Sequence, residues 1–413
     1  MRTAIKNVNV FDGINEELLK GVSVIIQDNK IEDIVSGEFG SEQIDTLIDA
    51  GGYTLIPGLT DCHVHIAHSR VFDDRVDQKV VQGVANAKEF LRKGFTSVRD
   101  AGGITYGLKQ GIDEGIVEGP RIFPSNAFLT QTSGHADFRQ SKSEFRLFDR
   151  VYASGAAMTG EAWYADGVPE VLRGVRENFF LGASQIKIMA GGGVMSLSDP
   201  IDTVQFTREE MEAAVGAAAD YGTYVMAHLY TPGAILRAVR AGVKSFEHCQ
   251  LMDEECARAL ADAGAFIDPC PNMAAEAPPI IMEHPIRRAK QLRVSAGEKR
   301  EAELIEKYRL TLLFGTDSNA GNPKDLSHYK DRWGSLAGLR AATGNVNELT
   351  KLTTYQNPYP EGEIGVIKKG AFADLLITEG NPAEDLDILS DPDNLLLIMK
   401  DGRIFKNAIP SRE

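Results

Sequence analysis

The middle of this chain alternates short apolar runs with helix-length amphipathic segments, and no other feature constrains the fold as tightly. Eight runs have strand character: Gly58–His65, Phe95–Asp100, Arg121–Pro124, Ser184–Ala190, Thr223–Leu229, Ser245–Cys249, Ala265–Pro269 and Thr311–Asp317. Several gaps between them carry helix punctuation. TREEMEAAVGAAADYG (207–222) opens on a Thr cap, places acids in its first turn and ends in Gly. DEECARALADAG (253–264) repeats the pattern with Asp253 and Gly264. Strands alternating with helices imply parallel βαβ units. Eight units in about 300 residues predict an α/β fold of the (β/α)8 TIM barrel type with insertions, since such barrels usually take about 250 residues. The stretch from about 132 to 170 is rich in Gly, Ser, Asp and Tyr. A loop that long is usually functional, often as a lid.

The two ends of the chain look alike. TAIKNVNVFDG and GVSVIIQDNKIEDIV near the start, and GAFADLLITEG and NLLLIMKDGRIFKN near the end, are strand patterns closed by turn residues. Neither end alone has enough strands for a stable sheet. The expectation is a small β-sandwich domain formed by both termini. Its parts would be 1–57 and 363–413, with the barrel at 58–362.

Charge and cysteine usage exclude several classes. A net charge of −15 argues against a nucleic-acid partner, which needs a basic surface. The N-terminal MRTAIKNVNVFDG has no basic region followed by an apolar run, so no signal peptide is expected. Runs such as Leu395–Met399 are far too short to cross a bilayer. Cys62, Cys249, Cys256 and Cys270 form neither a CxxC pair nor a disulfide framework, which suggests a reducing, cytoplasmic setting. The expected partner is a small-molecule substrate, with neither nucleic acid nor membrane; a homo-oligomer stays open.

The histidines carry the chemistry. Of eight in the chain, three lie in GLTDCHVHIAH (58–68). His63 and His65 are two apart on a candidate strand, so they share a face. At the rim of a barrel, two imidazoles aimed at one point form half of a metal site. The plainer alternative is one buried structural histidine and one exposed. His228 in VMAHLY, His248 in SFEHC, Asp317 in LLFGTDS and Lys187 in QIKIMAG add to the pattern. Each lies in or at the end of an apolar strand, where a polar group needs a partner. One such residue is explained by a structural hydrogen bond; six on one rim point to a site. Lys187 is the odd member, because an ammonium cannot ligate a cation. A buried lysine with a lowered pKa can take up carbon dioxide as a carbamate, which would bridge two metal ions. The alternative is a lysine paired with Asp317.

PGLTDCHVH (57–65), IKIMAGGG (186–193), MAHLY (226–230), FEHC (246–249) and GTDS (315–318) together resemble the amidohydrolase superfamily of metal-dependent (β/α)8 hydrolases. VRDAGG, SGHAD and KIMAGGG are most similar to its imidazolonepropionase-related prolidase and dipeptidase branch. The resemblance implies a binuclear centre, usually zinc. One ion would take His63, His65 and Asp317, the other His228 and His248. A carboxylated Lys187 and a hydroxide would bridge them. Asp317 would take the hydroxide proton and pass it to the leaving nitrogen. His135 in TSGHAD resembles the branch's active-site histidine, placed to polarise the carbonyl or bind a substrate carboxylate. Tyr230, two beyond His228, faces the same way; its hydroxyl donates to the substrate or the ring packs the rim. His68 reads as a loop residue. Cys62 and Cys249, neighbouring ligands in sequence, are expected to point away from the lumen.

The expected activity is hydrolysis of the amide bond of a dipeptide or N-acyl amino acid, with proline or another hydrophobic residue at its C-terminus. Alternatives within the superfamily are a dipeptidase for C-terminal Arg or Lys, or a cyclic-amide, lactone or deaminase enzyme. A non-catalytic metal- or ligand-binding barrel is the alternative from another class.

Overall fold

A computed structural model describes residues 1–37, 44–67, 75–139, 156, 159–271 and 277–410. The chain opens with β1 (Arg2–Val10), β2 (Leu19–Gln27), β3 (Lys30–Ser36), β4 (Thr46–Asp49) and β5 (Thr54–Pro57). It then enters β6 (Leu59–Val64), β7 (Phe95–Asp100), β8 (Arg121–Phe123), β9 (Phe128–Thr130) and β10 (Ala162–Tyr164). Next come β11 (Ile186–Met189), β12 (Val225–Leu229), β13 (Ser245–His248), β14 (Phe266–Asp268) and β15 (Thr311–Leu312). The chain closes with β16 (Leu375–Thr378), β17 (Leu395–Lys400) and β18 (Arg403–Asn407).

The terminal strands form one sheet in the order β18-β17-β16-β5-β1-β2-β3, with β4 on β1. Its seam is the antiparallel pairing of β5 with β16, Pro57 opposite Leu375. Ile5, Val24, Leu55, Leu375 and Leu397 belong to one buried cluster, so both ends of the chain share a core. The middle strands form two parallel sheets, β6-β7-β8 and β10-β9-β11-β12-β13-β14-β15. Backbone bonds span both gaps between these sheets. The amides of Cys62 and Asp317 donate to the carbonyls of Phe314 and His63, and that of Ser184 to Pro124.

Helices follow the strands where the sequence places them. The helix Arg208–Asp220 starts at Thr207, whose side chain accepts from the Glu210 amide, while the Glu210 side chain answers the Thr207 amide. Asp253 caps Glu254–Asp262 through the Cys256 amide. Alternate strand residues divide as a buried parallel sheet requires. Val225, Ala227 and Leu229 join the main apolar cluster, whereas Tyr224 and Met226 belong to a separate one.

Three expectations need correction. The last parallel strand is only Thr311–Leu312, so Asp317 lies beyond its end and not on it. Cys62 belongs to the apolar cluster that holds Tyr224, Met226, Phe266 and Leu313, not to the cluster on the helix side. A register shift between Asp61 and Val64 breaks strict alternation in β6 and explains the difference. The 132–170 stretch also holds β10 and the start of the helix Val168–Phe180. Residues 140–155 and 157–158 of the expected lid, and His68, lie outside the described residues. The four cysteines are free and buried. Among the described residues, no helix is long and apolar enough to cross a membrane.

Candidate active site

His63, His65, His135, Lys187, His228, Tyr230, His248 and Asp317 all line one cavity of about 520 Å³. The strands deliver these residues by two different means. His63 sits within β6 and His65 just past its end, two positions apart; His228 lies in β12, with Tyr230 two positions on. The pleat brings His228 and Tyr230 to one face, whereas His63 and His65 reach the cavity where the register of β6 shifts between Asp61 and Val64 and the strand ends.

His248 requires more. In β13, Ser245 and Glu247 share a face, and both accept from the Arg99 guanidinium at 2.8 and 3.0 Å. Strict alternation would turn the next side chain away. Positive φ angles at His248 (76°) and Cys249 (69°) break the pleat instead. The His248 ring thereby stands 5.1 Å from that of His63 and 4.6 Å from that of His228. Cys249, one further on, packs on the helix side as expected. Asp317 likewise has a positive φ of 50°. Its amide donates to the His63 carbonyl at 2.8 Å. Its Oδ1 lies 3.3 Å from His65 Nε2 and 3.6 Å from His63 Nε2.

The donor atoms suit a divalent cation. His65 Nδ1 lies 2.9 Å from the Gly102 carbonyl, which makes Nδ1 the donor and leaves the Nε2 lone pair beside Asp317. His63 Nδ1 lies 2.9 Å from Glu247 Oε2, so its Nε2 also faces the cavity. His228 Nε2 and His248 Nδ1 are buried with no hydrogen-bond partner among the described residues. Such orphaned atoms are costly unless something fills the space between them. One ligand atom each from His63, His248 and Asp317 fall within 4.8 Å of one another. Imidazole nitrogen and carboxylate oxygen are the donors that zinc and similar ions take.

Charge in the site follows from burial and neighbours. Burial pushes the His228 and His248 pKa values well down, and the other imidazoles of the cluster add to this, so both rings stay neutral. His63 is pushed down to about 4 by burial and by the Lys187 ammonium. Burial would raise the Asp317 pKa, but His63 and His65 outweigh it and hold the carboxyl well below the usual range. Burial lowers the pKa of Lys187 against the pull of Glu247 and Asp317. The Lys187 amine does not pair with Asp317; its Nζ lies 3.2 Å from His63 Nε2.

Tyr230 and His135 complete this part of the cavity wall. Tyr230 is 2% exposed, and burial raises its phenol pKa well above the usual value, so it remains a donor. Its ring meets His228 at 5.0 Å and His248 at 5.2 Å. The His135 ring stacks on His228 at 4.1 Å.

Glu247 and Arg99 escape the sequence reading. A carboxylate in the apolar strand SFEHC and a guanidinium in FTSVRD each need a buried partner, and that demand was the available signal. Asp268 and Cys270, close enough to His63 to form a second ligand group, were also missed. So were Ser196 and Asp199, which lie against His135, and no periodicity links them to it.

Residues 54–405 match the Amidohydrolase family, and the chain belongs to it. It is by family a hydrolase acting on carbon–nitrogen bonds. The chain is 30% identical over 386 residues to ochratoxinase from Aspergillus niger, covering 85% of this chain and 75% of that protein. A prolidase solved in complex with N-methylphosphonate-L-proline superposes with a TM-score of 0.90 at 33% identity, covering 98% of this chain and 100% of the other. A Xaa-Pro dipeptidase solved with methionine in its active site gives 0.84 at 27% identity, with 98% and 100% covered.

Proposed function

We propose that this chain hydrolyses the amide bond of dipeptides or N-acyl amino acids that end in proline or another apolar residue. The observation that carries the reading is the chemistry of the cavity wall. Phe128, Phe138, Met189, Val194, Met195 and Ile281 line it, and Asp317 is the sole carboxylate among the described lining residues. A C-terminal Arg or Lys side chain would find no described counter-charge there other than a carboxylate already paired with two imidazoles. An apolar side chain would gain about 25 cal/mol for each Å² it buries. The prolidase, Xaa-Pro dipeptidase and ochratoxinase likenesses support the same class of substrate.

The parallel strands read as a closed (β/α)8 barrel, with the bonds across both sheet gaps as its seams. The terminal strands read as a sandwich-like domain, with divisions near residues 57 and 363. Two divalent ions, zinc in our reading, would be held by His63, His65 and Asp317 on one side and His228 and His248 on the other. Lys187 would stand between them as its carbamate. Bound ions would polarise the scissile carbonyl and lower the pKa of the attacking water.

The chain's own groups do the rest. Asp317, held anionic by two imidazoles, accepts the water proton at Oδ1 and returns it to the leaving nitrogen. Tyr230 donates its hydroxyl to the substrate, and His135 meets the carboxylate end. The apolar wall excludes water around them. A library of dipeptides and N-acetyl amino acids, read by mass spectrometry on metal-reconstituted protein, tests the reading. Turnover of substrates ending in proline, phenylalanine or leucine is expected; preference for C-terminal arginine or lysine would overturn it.

A further inference from the structure

His135 sits in a hydrogen-bonded frame that the reaction outlined above does not use. Its Nδ1 lies 2.7 Å from Ser196 Oγ and 3.5 Å from Asp199 Oδ2. The Ser196 hydroxyl donates its proton to Asp199 Oδ1. Ser196 Oγ can then only accept from the ring, which puts a proton on Nδ1 and leaves Nε2 turned the other way. Nε2 makes no hydrogen bond among the described residues, and His135 lines the cavity.

The frame is itself fixed. The Gly193 amide donates to Asp199 Oδ2 at 2.7 Å. Gln205 bridges the two partners: its Oε1 accepts from the His135 amide at 2.6 Å, and its Nε2 donates to Asp199 Oδ2 at 3.3 Å. Lys290, on the helix Pro285–Ser295, donates to the Gly193 and Ser196 carbonyls at 2.8 Å and to that of Asp199 at 2.5 Å. Asp199 and Ser196 are both 1% exposed. A buried carboxylate with this many donors is held in one place, and so is the hydroxyl it orients.

We propose that Asp199, acting through Ser196, is a positioning residue that fixes the His135 imidazole with Nε2 presented to the carboxylate end of the substrate. It rests on the proposed function, in which His135 meets that carboxylate. The relay resembles a carboxylate–histidine pair in form, but its task is orientation: Asp199 faces away from the cavity and touches no substrate.

The test uses full-length, metal-reconstituted protein with N-acetyl-L-proline or N-acetyl-L-phenylalanine, each as the free acid and the C-terminal amide. Asp199→Asn, Asp199→Ala, Ser196→Ala and His135→Gln are compared with the parent. Metal content and melting temperature are recorded for each variant. For Asp199→Ala, KM for the free acids should rise about tenfold, as for loss of one charge-assisted hydrogen bond. The free-acid preference should fall by a similar factor, with metal content unchanged. Asp199→Asn, whose amide oxygen can still accept from Ser196, should recover part of the loss. The imidazole ¹⁵N spectrum supplies a readout independent of turnover. The His135 signals, found by their absence in His135→Gln, should show a protonated Nδ1 in the parent and tautomer averaging in Asp199→Ala. If His135→Gln leaves the free-acid preference intact, the reading of His135 itself fails. If His135→Gln abolishes that preference while Asp199→Ala and Ser196→Ala keep parental KM and spectra, the positioning proposal fails alone. Should the Asp199 variants not fold, Ser196→Ala decides by the same readouts.

Discussion

Lys187 Nζ lies 3.2 Å from His63 Nε2, and neither side chain is more than 1% exposed. An amine and an imidazole lone pair at that distance in a buried cavity share space with the atoms that face Asp317 and His248. Lys187→Ala should therefore remove a group that His63 Nε2 contacts directly. Loss of an outer group that merely orients a ligand costs about 10–100-fold in metal affinity or activity. Loss of Lys187 should cost on the order of a hundredfold or more in kcat, with the second ion missing by elemental analysis. Short carboxylic acids should restore part of both. Parental metal occupancy in the alanine variant would show that Lys187 bridges nothing.

Glu247 tests the support of His63. Its carboxylate lies 2.9 Å from His63 Nδ1 and 3.0 Å from the Arg99 guanidinium, all three groups buried. Glu247→Gln keeps the shape but removes the charge. Metal affinity should drop about 10–100-fold by chelator competition. Removing the charge leaves Arg99 with the Cys62 carbonyl, Ser245 and, at 3.8 Å, Asp268, so the stability loss in denaturant melts should fall below the about 3–5 kcal/mol of a fully broken buried pair. A variant with parental metal affinity would assign Glu247 to Arg99 alone.

How much of this was legible in the sequence depends on what each residue needed. His228 with Tyr230 was legible because a period of two is a property of the strand itself; His63 with His65 was legible as a pair two apart, although the register of β6 shifts between Asp61 and Val64. His248 was legible as a strand-ending histidine. That it shares the site with its neighbour Glu247 was not, because two positive φ values decide it and no glycine marks them. The pairing of β5 with β16 could be guessed from the likeness of the chain ends, yet its register joins residues more than 300 positions apart. Asp199 reaches His135 from a loop that Lys290, on a distant helix, holds in place, and tertiary contacts of that kind leave no periodic trace.

Gly193 explains part of the glycine run. A Cβ there would lie 2.0 Å from two atoms of the His135 ring. Gly193→Ala should displace the imidazole without touching any proposed metal ligand. The expected outcome is normal metal content with KM for free-acid substrates raised about tenfold or more. Equal kinetics in the two proteins would show that the loop yields and the ring keeps its place.

The acid limit of stability should carry the Asp199 signature. Burial opposes its ionisation, but hydrogen bonding and charge from His135, with Ser196 and Lys290, hold its pKa down at about 2. A depressed carboxylate pKa contributes stability above the unfolded value near 3.8 and loses it as pH falls toward 2. The contribution is on the order of 2 kcal/mol. The melting-temperature gap between the parent and Asp199→Asn should be widest above pH ~4 and close below it. A gap independent of pH would mean that the charge of Asp199 adds nothing to the fold.

The last prediction concerns which end of the substrate the site reads. Tyr230 follows His228 by two, its phenol stays protonated, and no hydrogen bond ties its hydroxyl to the described residues. If it donates to the free carboxylate, an amide cap on that carboxylate should weaken a charge-assisted bond. Such bonds are worth roughly 1.5–3 kcal/mol. The cap should cost on the order of tenfold to a hundredfold in kcat/KM, at about 1.4 kcal/mol per factor of ten. Tyr230→Phe should erase part of that difference and leave metal content unchanged, since the hydroxyl is no ligand. Acylating the amino end should matter much less, because Asp317 is the sole described carboxylate in the cavity and two imidazoles already occupy it. The reverse pattern, tolerance of the cap with strict need for a free amine, would place the substrate the other way round and return Tyr230 to packing against His228.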